Sequence, residues 1–262
     1  MRQWFSDMTG HSIEISYPPR RIVSLVPSQT ELLFDLGLGE EVVGITKFCV
    51  HPEEWFRTKT RIGGTKQLHI DKIKELQPDL IIANKEENTK EQIEELMKDF
   101  PVWISDIRNI EDALKMICEI GILVDKEEKA NSIAIEIAEG FKSLQKATEP
   151  KKVAYFIWRD PWMCAGGDTF ISNMIEMIGW ENILANKKRY PEIRLEELAE
   201  LRPEIILLSS EPYPFKDKHI LEIKAMIPDA KTLLVDGEMF SWYGSRMLKA
   251  IPYLARLVKT IS

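Results

Sequence analysis

HIDKIKELQPDLIIA, residues 69–83, returns as RLEELAELRPEIILL, residues 194–208, at an offset of 125 with no gap. Asp71 falls on Glu196, Ile73 on Leu198, Leu76 on Leu201, Pro78 on Pro203 and Asp79 on Glu204. In each copy, apolar residues at helical spacing lead to a proline, which cannot continue a helix, and then to a short apolar run that suits a buried strand. The flanks repeat in the same order. RIVSLVPSQTELLFDLG (21–37) corresponds to KVAYFIW (152–158), a longer loop with Gly166-Gly167, and FISNMIEMIG (170–179). A period this long is duplication of a whole lobe rather than a solenoid. Strands alternating with helices predict an α/β chain of two Rossmann-like lobes with mostly parallel sheets.

The middle of the chain, Ile110–Lys146, reads as two helices. From Lys126 onward Ala130, Ile133, Ala134, Ile137, Ala138, Phe141 and Leu144 form one stripe of period 3.6. Gly121 is expected to close the first helix (Glu111–Ile120), and Asp125 with Glu128 to start the second in a capping-box-like manner. Pro150 stops the run, leaving a rod of roughly 30 Å at about 1.5 Å per residue. The expected organisation is an N-terminal lobe at 1–109, a helical linker with a long rigid backbone helix at 110–149, and a C-terminal lobe at 150–262. A single sheet with an ordinary crossover helix is the alternative.

Within the first lobe, Met8-Thr9-Gly10 turns a hairpin. Strands are expected at Arg21–Val26, Val42–Thr46, Asp79–Ala83 and Val102–Ser105. Pro27–Glu31 reads as a turn into a helix at Glu31–Leu36, and Glu87–Phe100 as a helix. In the second, Leu221–Ile227 and Gly244–Thr260 read as helices and Thr232–Val235 as a strand.

With 44% hydrophobic and 29% charged residues, the 262-residue chain has ample material for a core. Its net charge of −7 argues against nucleic acid or an anionic membrane as partner. No apolar run reaches the ~18 residues of a membrane span. MRQWFSDMTGHS carries no apolar signal core, which leaves a mature, a trimmed or a cytosolic chain open. Cys49, Cys118 and Cys164 make no disulfide framework.

Ligands of open α/β sheets sit outside the carboxyl ends of the strands, and two facing lobes form a cleft. The loops expected there are Pro27–Glu31, Lys47–His51, Lys85–Asn88, Trp158–Gly167 and Asp236–Gly244. They carry Phe48, Trp158, Trp162, Phe240, Trp242 and Tyr243, with Tyr190 on a further loop. Such rings offer large rigid contact area for a flat or bulky ligand. Trp55, Trp103 and Trp180 fall in helix or strand patterns and read as core. Catalytic patterns are missing: no Walker loop, no GxSxG, no CxxC and no histidine pair at metal spacing occur. Cys49-x-His51 offers a soft-metal pair at most, and a backbone-satisfied loop histidine is the commoner outcome.

RRIVSLVPSQTELLFDLGLGEEVVGIT, the Gly63-Gly64…LHIDKIKELQPDLII stretch, the central helices, the Gly166-Gly167…GWENI stretch and RLEELAELRPEIILL together resemble the class III (cluster A) substrate-binding proteins of ABC importers. These are two-lobed receptors for vitamin B12, siderophores and haem, and the likeness covers nearly the whole chain. The PSQTE turn, the VHP loop and Tyr190-Pro191 are most similar to the vitamin B12 branch. The resemblance implies a binding protein and not an enzyme, without intrinsic cofactor or metal, holding a corrinoid in an inter-lobe cleft. Ligand contacts carry over to Phe48 and His51 in their loop, and to Thr65, Tyr190, Glu238 and Trp242, with Trp158, Trp162 and Tyr243 added from the aromatic loops. Thr65 stands where the family has tryptophan, and Trp242 where it has arginine. A ferric siderophore or haem is therefore the alternative ligand, with Arg159, Lys187, Lys188, Arg189 and Arg246 available to an anionic one.

Asp71 and Glu196, one per lobe, match the acids that dock on arginines of the permease; helix-dipole acids are the plain alternative. An ABC permease and a small-molecule ligand are the implied partners, a monomer the expected state, and a periplasmic or extracytoplasmic location is implied. A cytosolic enzyme or sensor on the same scaffold is the reading from a different class.

Overall fold

Two separate sheets, each with its own core, organise the chain in the computed structural model, which describes residues 1–261. One compact unit comprises residues 1–107, 111–138 and 243–246; the other comprises 108–110, 139–242 and the described residues from 247 onward.

The first unit opens with an antiparallel hairpin, β1 (Arg2–Ser6) and β2 (Ser12–Ser16). At its turn the buried Asp7 carboxylate accepts the backbone N–H groups of Thr9 and His11 at 2.8 and 2.9 Å. There follow β3 (Ile22–Ser24), α1 (Pro27–Asp35), β4 (Val42–Ile45), α2 (Glu53–Thr58), β5 (Thr60–Arg61), β6 (Gly63–Gly64), β7 (Gln67–Leu68), α3 (Ile70–Glu75), β8 (Leu80–Asn84), α4 (Lys90–Leu96) and β9 (Val102–Ser105). Strands β5-β4-β3-β8-β9 form one wholly parallel sheet in that order. Helices α5 (Ile110–Leu123) and α6 (Glu127–Ser143) come next, and α6 divides between the units at Ala138/Glu139.

The second unit holds β10 (Lys152–Trp158), β11 (Met163–Cys164), α7 (Phe170–Met177), β12 (Glu181–Asn182), α8 (Leu195–Glu200), β13 (Ile205–Ser209), α9 (Asp217–Met226), β14 (Lys231–Val235), α10 (Glu238–Ser241) and α11 (Met247–Ile261). Its sheet runs β11-β10-β13-β14, with β12 paired to β10 and only β11 antiparallel.

The internal repeat holds residue for residue. Helices α3 and α8 begin and end 125 positions apart, and so do β8 and β13. Gln77 and Arg202, equivalent by the same offset, both take left-handed backbone angles, φ +46° and +54°. Each copy then uses its post-proline acid to tie the strand to a neighbouring segment. Asp79 accepts the backbone N–H groups of Arg20 and Arg21 at 2.8 Å, and Glu204 accepts that of Lys152 at 3.0 Å.

Besides a shorter α4 (Lys90–Leu96 for the expected Glu87–Phe100) and an earlier start of α9 (Asp217 for Leu221), three local expectations change. Helix α1 starts at Pro27 rather than Glu31, because proline's fixed φ suits the first helical position, and Ser28–Glu31 are buried in its first turn instead of lining a loop. Helix α5 runs through Gly121 to Leu123. A Cβ at Gly121 would lie 2.2 Å from that of Ala130, so this glycine serves close packing of α5 on α6 rather than a helix end. Helix α6 spans 17 residues, about 25 Å, and stops before Pro150 is reached. Trp55, Trp103 and Trp180 are buried as expected.

Candidate functional site

In the first unit the loop after β4 is anchored by Cys49. Its buried Sγ lies 3.0 Å from Thr30 Oγ1 and 3.2 Å from Thr46 Oγ1, and burial pushes the thiol up to about 11. With Cys49 turned inward, Phe48 projects outward, 51% exposed, with the Lys47 ammonium over its ring at 5.0 Å. Gly64 lies close beneath it, where a Cβ would sit 3.1 Å from Phe48 Cε2 and the ring would have to shift by a few tenths of an ångström. His51 and Thr65 are half-buried, and the Thr65 carbonyl accepts Asn88 Nδ2 at 3.1 Å. Asn88 Oδ1 in turn accepts the Asn84 N–H at the end of β8. Among the described residues no group of three or more His, Cys, Asp or Glu side chains is placed to hold a metal ion.

In the second unit the carboxyl ends of β10 and β13 carry an aromatic cluster. Trp158, 39% exposed, meets Tyr213 edge-on at 5.7 Å. Trp162 stacks on Phe215, with centroids 5.9 Å apart and planes 6° from parallel, while Phe156 packs beneath both. Tyr213 and Phe215 also contact the His219 ring, and burial lowers the His219 pKa. The Arg159 guanidinium lies over Trp162 at 5.2 Å and grips Glu222 through Nε and Nη2 at 3.1 and 2.6 Å. Tyr213, Phe215 and Glu222 were not expected at the site. The repeat pointed to Tyr213, since 210–213 after β13 is the counterpart of Lys85–Asn88 after β8; Phe215 follows it, and Glu222 comes from α9.

Glu211, on that same loop, organises the segment after β14. Its Oε1 accepts the Trp242 indole N–H and the Ser241 hydroxyl, both at 2.8 Å. Gly237 permits this approach, because a Cβ there would lie 2.6 Å from Glu211 Cγ. Burial raises the Glu211 carboxyl above its usual range, helped by Glu238 and Asp236. Glu238 is half-buried at the start of α10. The aromatic loop expected here is mostly interior: Phe240 is fully buried against Tyr155 and Tyr253, and Trp242 and Tyr243 are buried as well. Tyr190 is half-buried before Pro191.

Asp71 and Glu196 are both exposed at the second position of their helices, α3 and α8. Glu196 borders a concave surface of about 540 Å³ formed within the second unit by Asp160, Pro161, Trp162, Ile193 and Met226, among others.

The family model described as periplasmic binding protein matches residues 22–227, well over half of the chain. The chain belongs to that family. It is 26% identical over 270 residues to the uncharacterized ABC transporter substrate-binding lipoprotein YvrC of Bacillus subtilis, covering 96% of this chain and 84% of that protein. To the vitamin B12-binding protein of Vibrio parahaemolyticus it is 27% identical over 198 residues, 73% of this chain and 71% of that one. The periplasmic heme-binding protein RhuT of Roseiflexus sp. RS-1 shares the fold, with a TM-score of 0.81 at 20% identity over 92% of this chain and 98% of that one. The chain is thus a substrate-binding protein of the ABC-importer type, with a transport role rather than an enzymatic one.

Proposed function

We propose that this periplasmic binding protein is an extracytoplasmic receptor for a corrinoid, which it delivers to its ABC permease. The observation that carries the reading is the aromatic cluster after β10 and β13, where Trp158 remains 39% exposed against Tyr213. A rigid, half-exposed indole backed by a second ring suits a large flat macrocycle. Phe48, exposed at the end of β4, is the corresponding anchor of the first unit, with His51 and Thr65 beside it. Tyr190 and Glu238, both half-buried, complete the proposed ligand set, while the buried Trp242, held by Glu211, fixes the segment that carries Glu238. The lobes of this proposal are residues 1–109 and 150–262, joined through the helical segment 110–149.

The cations favour a corrinoid over an anionic ferric siderophore. Arg159 is neutralised by Glu222 and Asp160, and Arg246 is buried against Glu31. Neither is available to draw an anionic ligand, which leaves only the Lys187–Arg189 run of the five basic residues considered. Docking to the permease is assigned to Asp71 and Glu196, whose equivalence by the repeat gives each unit one exposed acid in the same helical position.

Calorimetry of the purified protein with cyanocobalamin, cobinamide, haemin and a ferric hydroxamate separates the ligand classes. Trp158→Ala is expected to weaken corrinoid binding by about 1–3 kcal/mol, the loss of one aromatic anchor. Tight binding of haemin or the hydroxamate, with none of either corrinoid, would sink the ligand assignment.

A further inference from the structure

Arg159 follows Trp158 directly, and its guanidinium lies over the Trp162 ring at 5.2 Å, so a cation stands within the aromatic platform. A free guanidinium in that position attracts the carboxylates of a ligand. Here its hydrogen-bonding edge is already taken. Nε and Nη2 donate to the two Glu222 carboxylate oxygens at 3.1 and 2.6 Å, the two-pronged geometry that a ligand carboxylate would adopt. Nη1 meets only Asp160, whose side chain is 80% exposed and screened by water.

Glu222 reaches this edge from α9, 63 positions further along the chain. The helix is itself locked to the cluster. One turn earlier, the buried His219 accepts the Lys216 backbone N–H at Nδ1 (2.9 Å), and its Nε2 lies 3.3 Å from the Tyr213 hydroxyl. Its ring also meets Phe215 edge-on at 5.3 Å. His219 and Glu222, three residues apart, share one face of the helix. The Glu222 carboxylate is therefore held beside the platform by the same contacts that hold the platform's rings. With 25% and 37% of the two side chains exposed, the Arg159–Glu222 pair adds little to stability. What it changes is charge. A cation beside Trp162 becomes a neutral pair, and an incoming carboxylate meets one of like sign.

We infer that Glu222 sets the charge selectivity of the ligand platform: by occupying the Arg159 guanidinium it turns a carboxylate receptor into a surface for macrocycles with uncharged amide side chains. The inference rests on the ligand role proposed for the cluster and adds the residue that discriminates. Glu222 acts through Arg159 and is a positioning residue.

The test compares two corrinoids with the same macrocycle, dicyanocobinamide with its amide side chains and dicyanocobyrinic acid with free carboxylates. Calorimetry on the full chain reads the ratio of their affinities. Glu222→Gln keeps the size of the side chain and should shift that ratio toward the carboxylate form by about tenfold or more, the worth of a hydrogen-bonded pair between charged groups. The shift should shrink in about 0.5 M sodium chloride, because the restored attraction is electrostatic. It should vanish when Arg159→Met is added, a reversal that a merely structural loss would not give. An unchanged ratio in Glu222→Gln, or a shift that persists in the double variant, overturns the inference. If the parent binds neither corrinoid, the ligand proposal fails separately, and haemin against its dimethyl ester supplies the same ratio for Glu222. A parent that binds neither pair overturns both.

Discussion

Arg246 Nε lies 2.7 Å from Glu31 Oε2, and both side chains are only 5% exposed. Arg246 reaches this position within Tyr243–Arg246, four residues late in the chain that group with the first unit. Removing one member of a buried pair leaves the other charge stranded, a loss of about 3–5 kcal/mol. Glu31→Gln and Arg246→Met should therefore each lower the urea-unfolding free energy by about that amount. Combining Glu31→Leu with Arg246→Met should cost much less than the two single changes added together, because no charge is then stranded. Single variants within about 1 kcal/mol of the parent would show that the pair is not desolvated in solution.

Glu211 makes stability depend on pH in a sense opposite to that of most carboxylates. Its folded-state pKa is raised, chiefly by burial, so the folded chain holds this proton more tightly than the unfolded chain does. The ionised carboxyl therefore weighs against folding; the effect is absent below the ordinary carboxylate range and grows as pH rises through and above it. Glu211→Gln keeps an oxygen for Trp242 Nε1 and Ser241 Oγ but cannot ionise. Its stability relative to the parent should be nearly equal around pH 4 and should improve toward pH 7. A constant difference across that range in denaturant titrations would mean that Glu211 ionises freely.

The duplicated unit was legible because its signals are local: a helical stripe, a proline and an apolar run recur at one offset, and α3/β8 and α8/β13 obey them residue for residue. Boundaries failed where tertiary packing overrides a local sign. Gly121 carries the signature of a helix end, yet Ala130 on the facing helix requires it inside α5. The PSQTE segment looks like a turn, yet its side chains are buried and it opens α1. At the site, Trp158 and Trp162 could be read from their loop, but Tyr213 and Phe215 lie more than fifty positions away in a proline-rich stretch without periodicity. Only β10 pairing with β13 brings the four rings together. Phe240 failed in the opposite direction, since a loop position does not reveal that Tyr155 and Tyr253 cover it.

The three thiols should differ sharply in reactivity. Cys49 and Cys164 are fully buried, their pKa values pushed up to about 11 and well above the usual thiol range, whereas Cys118 is partly exposed and raised less far. Since the thiolate is the reactive form, iodoacetamide near pH 8 should label Cys118 slowly and leave the other two unmodified until the protein is denatured. Rapid native labelling of Cys49, read by peptide mass spectrometry, would show that the loop bearing Phe48 is not anchored as described.

Gly121 provides the sharpest contest between local preference and packing. In an exposed helix interior alanine is preferred over glycine by about 1 kcal/mol. Here the added methyl would overlap Ala130 Cβ at 2.2 Å, with the Lys126 carbonyl 3.3 Å away, so α5 and α6 must move apart. Overpacking of this kind costs typically 1–3 kcal/mol. The clash should win, and Gly121→Ala should lower the unfolding free energy by up to about 2 kcal/mol, the difference of those two effects. Gly121→Ala with Ala130→Gly moves the methyl across the contact and should recover part of the loss, because the volume at the crossing is then conserved. Measured by urea denaturation, a Gly121→Ala variant more stable than the parent would show that the two helices are not held at this separation.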